Sequence, residues 1–233
     1  MDVIAKLNAE RPLFHGGADN PQTWGSGFDV LRFIRDNVTP DMATLETGCG
    51  YSTVTFASVG NDHTTVMFDE NEIVGVRNFC DVNLISLDNV KFRCGPSVDV
   101  LLTLDQTPLD LVYIDGAHGF PHPCIDWYHT EKRLRIGGRM LIDDVRIPTC
   151  RILHDFLMQE TRCWKFERYL GDTSVFRKIA VTPNSSDWAP QRSNRAYPDY
   201  SFFPPHLRAF YNAQKVAKKI GLAPLLNRLF RRT

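Results

Sequence analysis

Acidic residues run out before the chain does: nothing after Asp199 is Asp or Glu, while Arg208, Lys215, Lys218, Lys219, Arg228, Arg231 and Arg232 are basic, although the whole chain is formally neutral. That makes the end a basic extension. No apolar run approaches the roughly 20 residues needed to cross a membrane. The start, MDVIAKLNAERP, lacks the apolar core of a signal peptide. The six cysteines (Cys49, Cys80, Cys94, Cys124, Cys150 and Cys163) include no CxxC pair and no metal-like spacing, which argues against a disulfide framework or a zinc site. A reducing, cytosolic compartment is the expectation. There is no internal repeat and no low-complexity tract.

What is present begins with ATLETGCGYST, Ala43 to Thr53. A short apolar segment ends in a carboxylate, Gly48 and Gly50 supply a turn open to a ligand, and Tyr51 to Val59 can begin a helix. Two cofactor classes compete for such a turn. A dinucleotide would place its pyrophosphate on the helix N-terminus, with a third glycine for close packing; Ser52 or Thr53 stands there instead. Glu46 would also repel a pyrophosphate, whereas S-adenosylmethionine carries an ammonium and a sulfonium that a carboxylate favours. Charge therefore prefers S-adenosylmethionine. The segment HTTVMF ends at Asp69, where a carboxylate can accept hydrogen bonds from ribose hydroxyls in either cofactor class.

With 233 residues, 43% hydrophobic and 23% charged, the chain suits one α/β domain plus an extension. The expected division is 1–40 as an N-terminal helical or cap segment, 41–182 as the cofactor-binding domain, and 183–233 as a Pro- and aromatic-rich linker with a basic amphipathic tail. Within the domain, strand and helix alternate as a parallel sheet requires. Helix is expected over 70–84, 96–103, 122–134 and 149–160, and strand over 90–94, 110–115 and 139–143, the last following a Gly137-Gly138 turn. Trp164 to Leu170 and Ser174 to Val181, joined by Gly171-Asp172, read as a β-hairpin.

The set LETGCGYST, MFD, RCGPS, DLVYIDGAH and LRIGGRMLIDD, in that order, resembles the class I S-adenosylmethionine-dependent methyltransferases, over about Ala43 to Val181. The resemblance implies a Rossmann-like α/β fold with a seven-stranded sheet, mostly parallel with an antiparallel C-terminal hairpin, and helices on both faces. It also implies that Glu46, Gly48, Gly50 and Ser52 line the methionyl end. Asp69, with Glu70 beside it, would bind the ribose, Gly95, Pro96 and Ser97 would flank the adenine, and Asp115 would border the cofactor. N-terminal segments of this family often close over the cofactor, which points to Trp24 or Phe28 as a cover.

Reaction chemistry is expected at the C-terminal ends of the fourth and fifth strands, the crevice where open α/β sheets bind ligands. Asp115, Asp143 and Asp144 converge there, and like charges so close need a cation or compensating donors. Mg²⁺ or a similar divalent ion answers that need. His118, three residues past Asp115, is placed as general base, with His122 a weaker candidate. The DGAH plus DD arrangement resembles the metal-dependent macrolide-sugar (macrocin-type) and catechol-type O-methyltransferases, which implies a small-molecule or sugar hydroxyl as acceptor. The plainer alternatives are an Asp115 that positions a loop, an Asp143 or Asp144 that caps the next helix, and a His118 bonded to backbone. Asp126 and Trp127 are expected to position their helix, with Trp127 also a candidate wall of the substrate site; Cys49 is assigned no chemistry.

Two rivals stay open: a metal-independent N- or O-methyltransferase, and a non-catalytic cofactor-binding module. Nucleic acid is disfavoured as a partner, because the domain has no basic excess and no Asn-Pro-Pro-Tyr motif for a flipped base. The tail, HLRAFYNAQKVAKKIG then LAPLLNRLFRRT, reads as two short amphipathic helices, suited first to packing on protein and second to an anionic membrane surface. The Phe202-Phe203 and Phe210-Tyr211 pairs suit a homo-oligomer interface as well as burial within one chain.

Overall fold

The computed structural model describes residues 2–15, 25–182, 190–195 and 201–222, in two units, Met1–Ser193 and Asn194–Thr233. The first unit extends past the expected boundary at 182. Ser193 N donates to Glu160 Oε1 at 2.8 Å and Arg192 Nη1 to Thr161 Oγ1 at 2.8 Å, tying this stretch to the domain. Residues 1–15 and 25–40 also belong to it.

Helices α1 (Val3–Glu10) and α2 (Phe28–Asn37) precede β1 (Ala43–Thr47), α3 (Tyr51–Val59), β2 (Asp62–Met67), α4 (Glu70–Val82), β3 (Val90–Cys94) and α5 (Ser97–Thr103). There follow β4 (Leu109–Ile114), α6 (His122–Thr130), β5 (Leu134–Ile142), α7 (Pro148–Gln159) and the hairpin β6 (Trp164–Leu170) and β7 (Thr173–Lys178). The sheet order is β3-β2-β1-β4-β5-β7-β6. Strands β1 to β5 pair in parallel, and β7 runs antiparallel between β5 and β6. This is the seven-stranded Rossmann-like sheet with its antiparallel hairpin.

Both faces of the central strands are covered, as parallel sheets require. Successive residues of β4 alternate between them. Val112 and Ile114 join Leu45, Met140, Ile142, Trp127, Leu153 and Trp164, packed by α6 and α7. Leu111 and Tyr113 join Leu141, Val175 and Phe56 beneath Val30, Phe33 and Ile34 of α2. A third cluster brings Val3, Ile4 and Leu7 of α1 against Tyr51, Val54 and Val76. Helix α1, which local pattern did not announce, is held there by a cap: Asp2 accepts from Ile4 N at 3.2 Å.

Two local expectations change. Gly137 and Gly138 lie inside β5 rather than before it: Leu109 pairs with Leu134 but Leu111 pairs with Arg139, so the glycines form an irregularity in a continuous strand. A Cβ on Gly138 would sit 3.0 Å from the Asp110 carbonyl oxygen, a tight approach that favours glycine. Helix α6 therefore ends at Thr130, earlier than expected. Neither Asp143 nor Asp144 caps α7, whose N-cap is Ile147.

The second unit contains α8 (Pro205–Lys219). Arg208 Nη2 donates to the Ser201 carbonyl at 2.6 Å, and Phe203 stacks near Tyr211 with ring centroids 5.0 Å apart. The helix expected beyond Leu222 lies outside the described residues. Among the described residues no helix is long and apolar enough to cross a membrane.

Candidate active site

The sheet order reverses between β1 and β4, and the loops leaving those two strands open one cavity of about 1030 Å³. Gly48 to Ser52 line it from the turn after β1, and Gly95, Pro96 and Ser97 from the turn after β3. Asp115 to His118 follow β4, and Asp143 and Asp144 follow β5. Ser26 closes it from the segment before α2, and Phe28 from the first position of that helix. Trp24, the other candidate cover, lies outside the described residues.

Backbone contacts hold the two central loops together. Gly48 has φ +104, and a Cβ there would meet the Asp115 carbonyl oxygen at 2.4 Å. Asp115 N donates to the Thr47 carbonyl at 3.0 Å, and Gly48 N to the Val66 carbonyl at 2.8 Å. Glycine is the residue that both the dihedral and the approach demand.

Three of the expected cofactor residues do not line the cavity. Glu46 is wholly buried; its Oε1 accepts from Thr53 Oγ1 and stands 3.1 Å from His63 Nε2, so the carboxylate faces inward beneath the turn. Asp69 caps α4, accepting from Asn71 N at 2.9 Å and Asn71 Nδ2 at 2.8 Å, and Glu70 is exposed on the first turn of α4. In their neighbourhood the cavity wall is Phe68 and Glu72, with Glu72 Oε1 3.0 Å from Nδ1 of His15, another lining residue. Trp127 does not wall the site either: its ring packs edge-on to Phe156 at 5.2 Å within the core. Asp126 beside it is wholly buried, and burial pushes its carboxyl up.

The acids after β4 and β5 share the opposite wall. Ile114 pairs with Ile142, so Asp115 and Asp143 leave neighbouring strands side by side. Burial pushes the Asp115 carboxyl up to about 8, with Asp143 adding to the rise and His118 opposing it. Ser26 Oγ donates to Asp115 Oδ2 at 3.1 Å. Asp143 accepts from Tyr113 OH at 3.0 Å and from Thr173 Oγ1. Asp144, at φ +49, has Oδ1 3.4 Å from Arg146 Nε, which also reaches Asp172 Oδ2 at 3.3 Å.

His118 stands between two of these acids. Its Nε2 is 3.8 Å from Asp115 Oδ1 and its Nδ1 3.5 Å from Asp144 Oδ2. Asp115 raises the imidazole pKa and burial opposes the rise. His122 also lines the cavity. The Cys49 thiol is pushed well up by burial, which leaves it unreactive. Asp115, Asp143 and Asp144 thus face one space, with hydroxyl donors on Asp115 and Asp143 and the Arg146 guanidinium beside Asp144. Among the described residues, however, no group of three or more His, Cys, Asp or Glu is arranged to hold a metal ion.

Ser26, Tyr113, Thr173 and Arg146 enter the site without any signal in the sequence. Each is an ordinary polar side chain brought to an acid by strand pairing or loop closure.

Residues 45–145 match the family model described as a methyltransferase domain. Over these residues the chain is similar to methyltransferase domains, in keeping with its Rossmann-like sheet. The chain also resembles solved structures. The O-methyltransferase TomG of Streptomyces achromogenes, involved in tomaymycin synthesis and solved with S-adenosylmethionine, is 18% identical, with a TM-score of 0.57 over 77% of this chain and 91% of that one. The methyltransferase PaMTH1 of Podospora anserina, solved with S-adenosylhomocysteine, is 18% identical with a TM-score of 0.56 over 77% and 89%. An rRNA methylase of Streptococcus thermophilus is 12% identical with a TM-score of 0.53 over 65% and 95%. A comparison with curated protein sequences finds no match. At such identities the likeness shows the fold, and neighbours this varied do not name an acceptor.

Proposed function

We propose that the protein transfers a methyl group from S-adenosylmethionine to a hydroxyl oxygen of a small molecule or sugar, with a divalent cation such as Mg²⁺ held by Asp115, Asp143 and Asp144. The observation that carries this is the wall of three carboxylates facing the Gly48–Gly50 turn across one cavity. The chemistry of the donors suits the ion, since hard cations take carboxylate oxygens, and the rise of the Asp115 carboxyl, driven by burial with Asp143 adding to it, is a problem that such a cation would relieve. Tyr113 and Thr173 orient the Asp143 carboxylate, and Ser26 orients Asp115.

S-adenosylmethionine brings the methyl group on a sulfonium, and a divalent cation brings Lewis acidity that lowers the pKa of the acceptor hydroxyl. The chain's own residues do the rest. Gly48 to Ser52 cradle the cofactor, and Phe28 narrows access of water. His118 accepts the hydroxyl proton as the carbon–oxygen bond forms and the carbon–sulfur bond breaks. Asp115 and Asp144 hold the imidazole in place and balance the charge it gains. Alignment of acceptor and methyl carbon lowers the barrier further.

One observation favours a metal-independent variant of the same transfer. His118 already stands between Asp115 and Asp144, and among the described residues no three-residue metal cluster is arranged; the histidine itself would then compensate the acids. The deciding experiment is methyl transfer to a panel of diol-bearing acceptors after EDTA treatment and after Mg²⁺ is restored. Activity lost and regained supports the metal-assisted reading; activity indifferent to both supports the variant. A cytosolic setting is part of the proposal and suits six free thiols.

A further inference from the structure

We infer that Glu46 is the buttress of the cofactor turn rather than a ligand to the cofactor's ammonium group, and that His63 is the positioning residue that holds it. The inference rests on the reading of the Gly48–Gly50 turn as the S-adenosylmethionine site.

Six groups form one buried hydrogen-bonded chain. Asn61 Nδ2 donates to Thr44 Oγ1 at 2.7 Å, and Thr44 Oγ1 lies 2.7 Å from His63 Nδ1. His63 Nε2 is 3.1 Å from Glu46 Oε1, which also accepts from Thr53 Oγ1. Thr53 Oγ1 accepts in turn from the backbone N–H of Gly50 at 2.9 Å. The carboxylate thereby fixes, through one hydroxyl, the amide that opens α3 on the cavity wall.

Proton counting orders the chain. The amide nitrogen of Asn61 can only donate, so Thr44 is free to spend its single proton on His63 Nδ1. His63 then carries its own proton on Nε2, aimed at Glu46. Phe56 stacks on the imidazole at 4.1 Å, 15° from parallel, and keeps the ring in that plane. Each link has one donor and one acceptor, and Glu46 receives from both sides. Its second oxygen, Oε2, is buried with no donor among the described residues; it is the atom a direct cofactor contact would need.

The test is isothermal titration of the full chain with S-adenosylhomocysteine, which keeps the ammonium group, for the wild type, Glu46→Gln, Thr53→Val, His63→Leu and His63→Gln. Glu46→Gln keeps the Oε1 acceptor and loses the charge, so its Kd stays within about threefold of wild type. Thr53→Val and His63→Leu each weaken binding about tenfold, and His63→Gln, which can still donate to Glu46, recovers most of that loss. A purely structural role would lower the melting temperature without this pattern in Kd. No binding by the wild type overturns the cofactor reading itself, and this inference with it. Wild-type binding together with a loss of about 30-fold or more in Glu46→Gln overturns this inference alone. If the His63 variants do not fold, nitrogen NMR of the wild type still decides: a ring protonated on Nε2 agrees, and a ring protonated on Nδ1 alone overturns it.

Discussion

Gly48 and Asp115 are in backbone contact: a single added carbon on Gly48 would lie 2.4 Å from the Asp115 carbonyl oxygen. The turn proposed to cradle the cofactor and the loop that starts the acid wall thus pack directly on each other, although they follow different strands.

Gly48→Ala must break that contact and adopt a left-handed φ. The expected cost is roughly 2–5 kcal/mol of stability, from strain and overpacking together. Urea unfolding of the two proteins measures it, and a difference below the precision of the fit would show that the loops can part.

His118→Asn removes the proposed proton acceptor while leaving the cofactor turn intact. A fall in kcat of about 10²- to 10⁴-fold is expected, with S-adenosylhomocysteine affinity unchanged. Steady-state kinetics beside calorimetric titration separates the two; equal losses in both would assign His118 to binding instead.

The elevated Asp115 carboxyl ties the proposed cation binding to pH. Below about 8 a cation must displace a proton from it, so affinity for Mn²⁺ or Mg²⁺ rises by about tenfold per pH unit and levels off above that value. Titrations on either side of this pH check the slope. A flat profile would remove Asp115 from the ligand set.

The same group makes the metal-free protein less stable as pH rises. The folded-state pKa of Asp115, about 8, lies above its ordinary value of 3.8, so between these values the native chain holds a proton that the unfolded chain has lost. Stability from this group is present at the acid end of that window, falls through it and stays low above it. Asp115→Asn removes the effect. Its melting temperature should exceed that of the wild type in alkaline, metal-free buffer, and the gap should close toward the acid end of the window. A constant gap across the range would assign the change to packing.

Much of the fold was legible because its signals are local. Tyr51–Val59 and Val90–Cys94 begin and end where glycines, apolar runs and capping residues place them. The hairpin was legible from Gly171-Asp172. Helix α1 was not, since Val3, Ile4 and Leu7 make a short apolar stripe that earns its helix only by packing against Tyr51 and Val54. The Gly137-Gly138 pair misled because a turn and a strand irregularity use the same residues, and only pairing with β4 separates them.

The sequence by itself determined the order of strands and helices along the chain and the glycine turn after β1, because backbone conformation and side-chain period are properties of neighbouring residues; the meeting of Asp115 with Asp143 and Asp144 followed only from the resemblance, which implies that their strands are adjacent. Tertiary structure alone decided which way the buried carboxylates turn. Glu46 faces His63, 17 positions away, and Asp115 takes a hydrogen bond from Ser26, 89 positions away. A buried charge follows whichever donors the packed fold brings to it, and those donors leave no mark on the residues beside it.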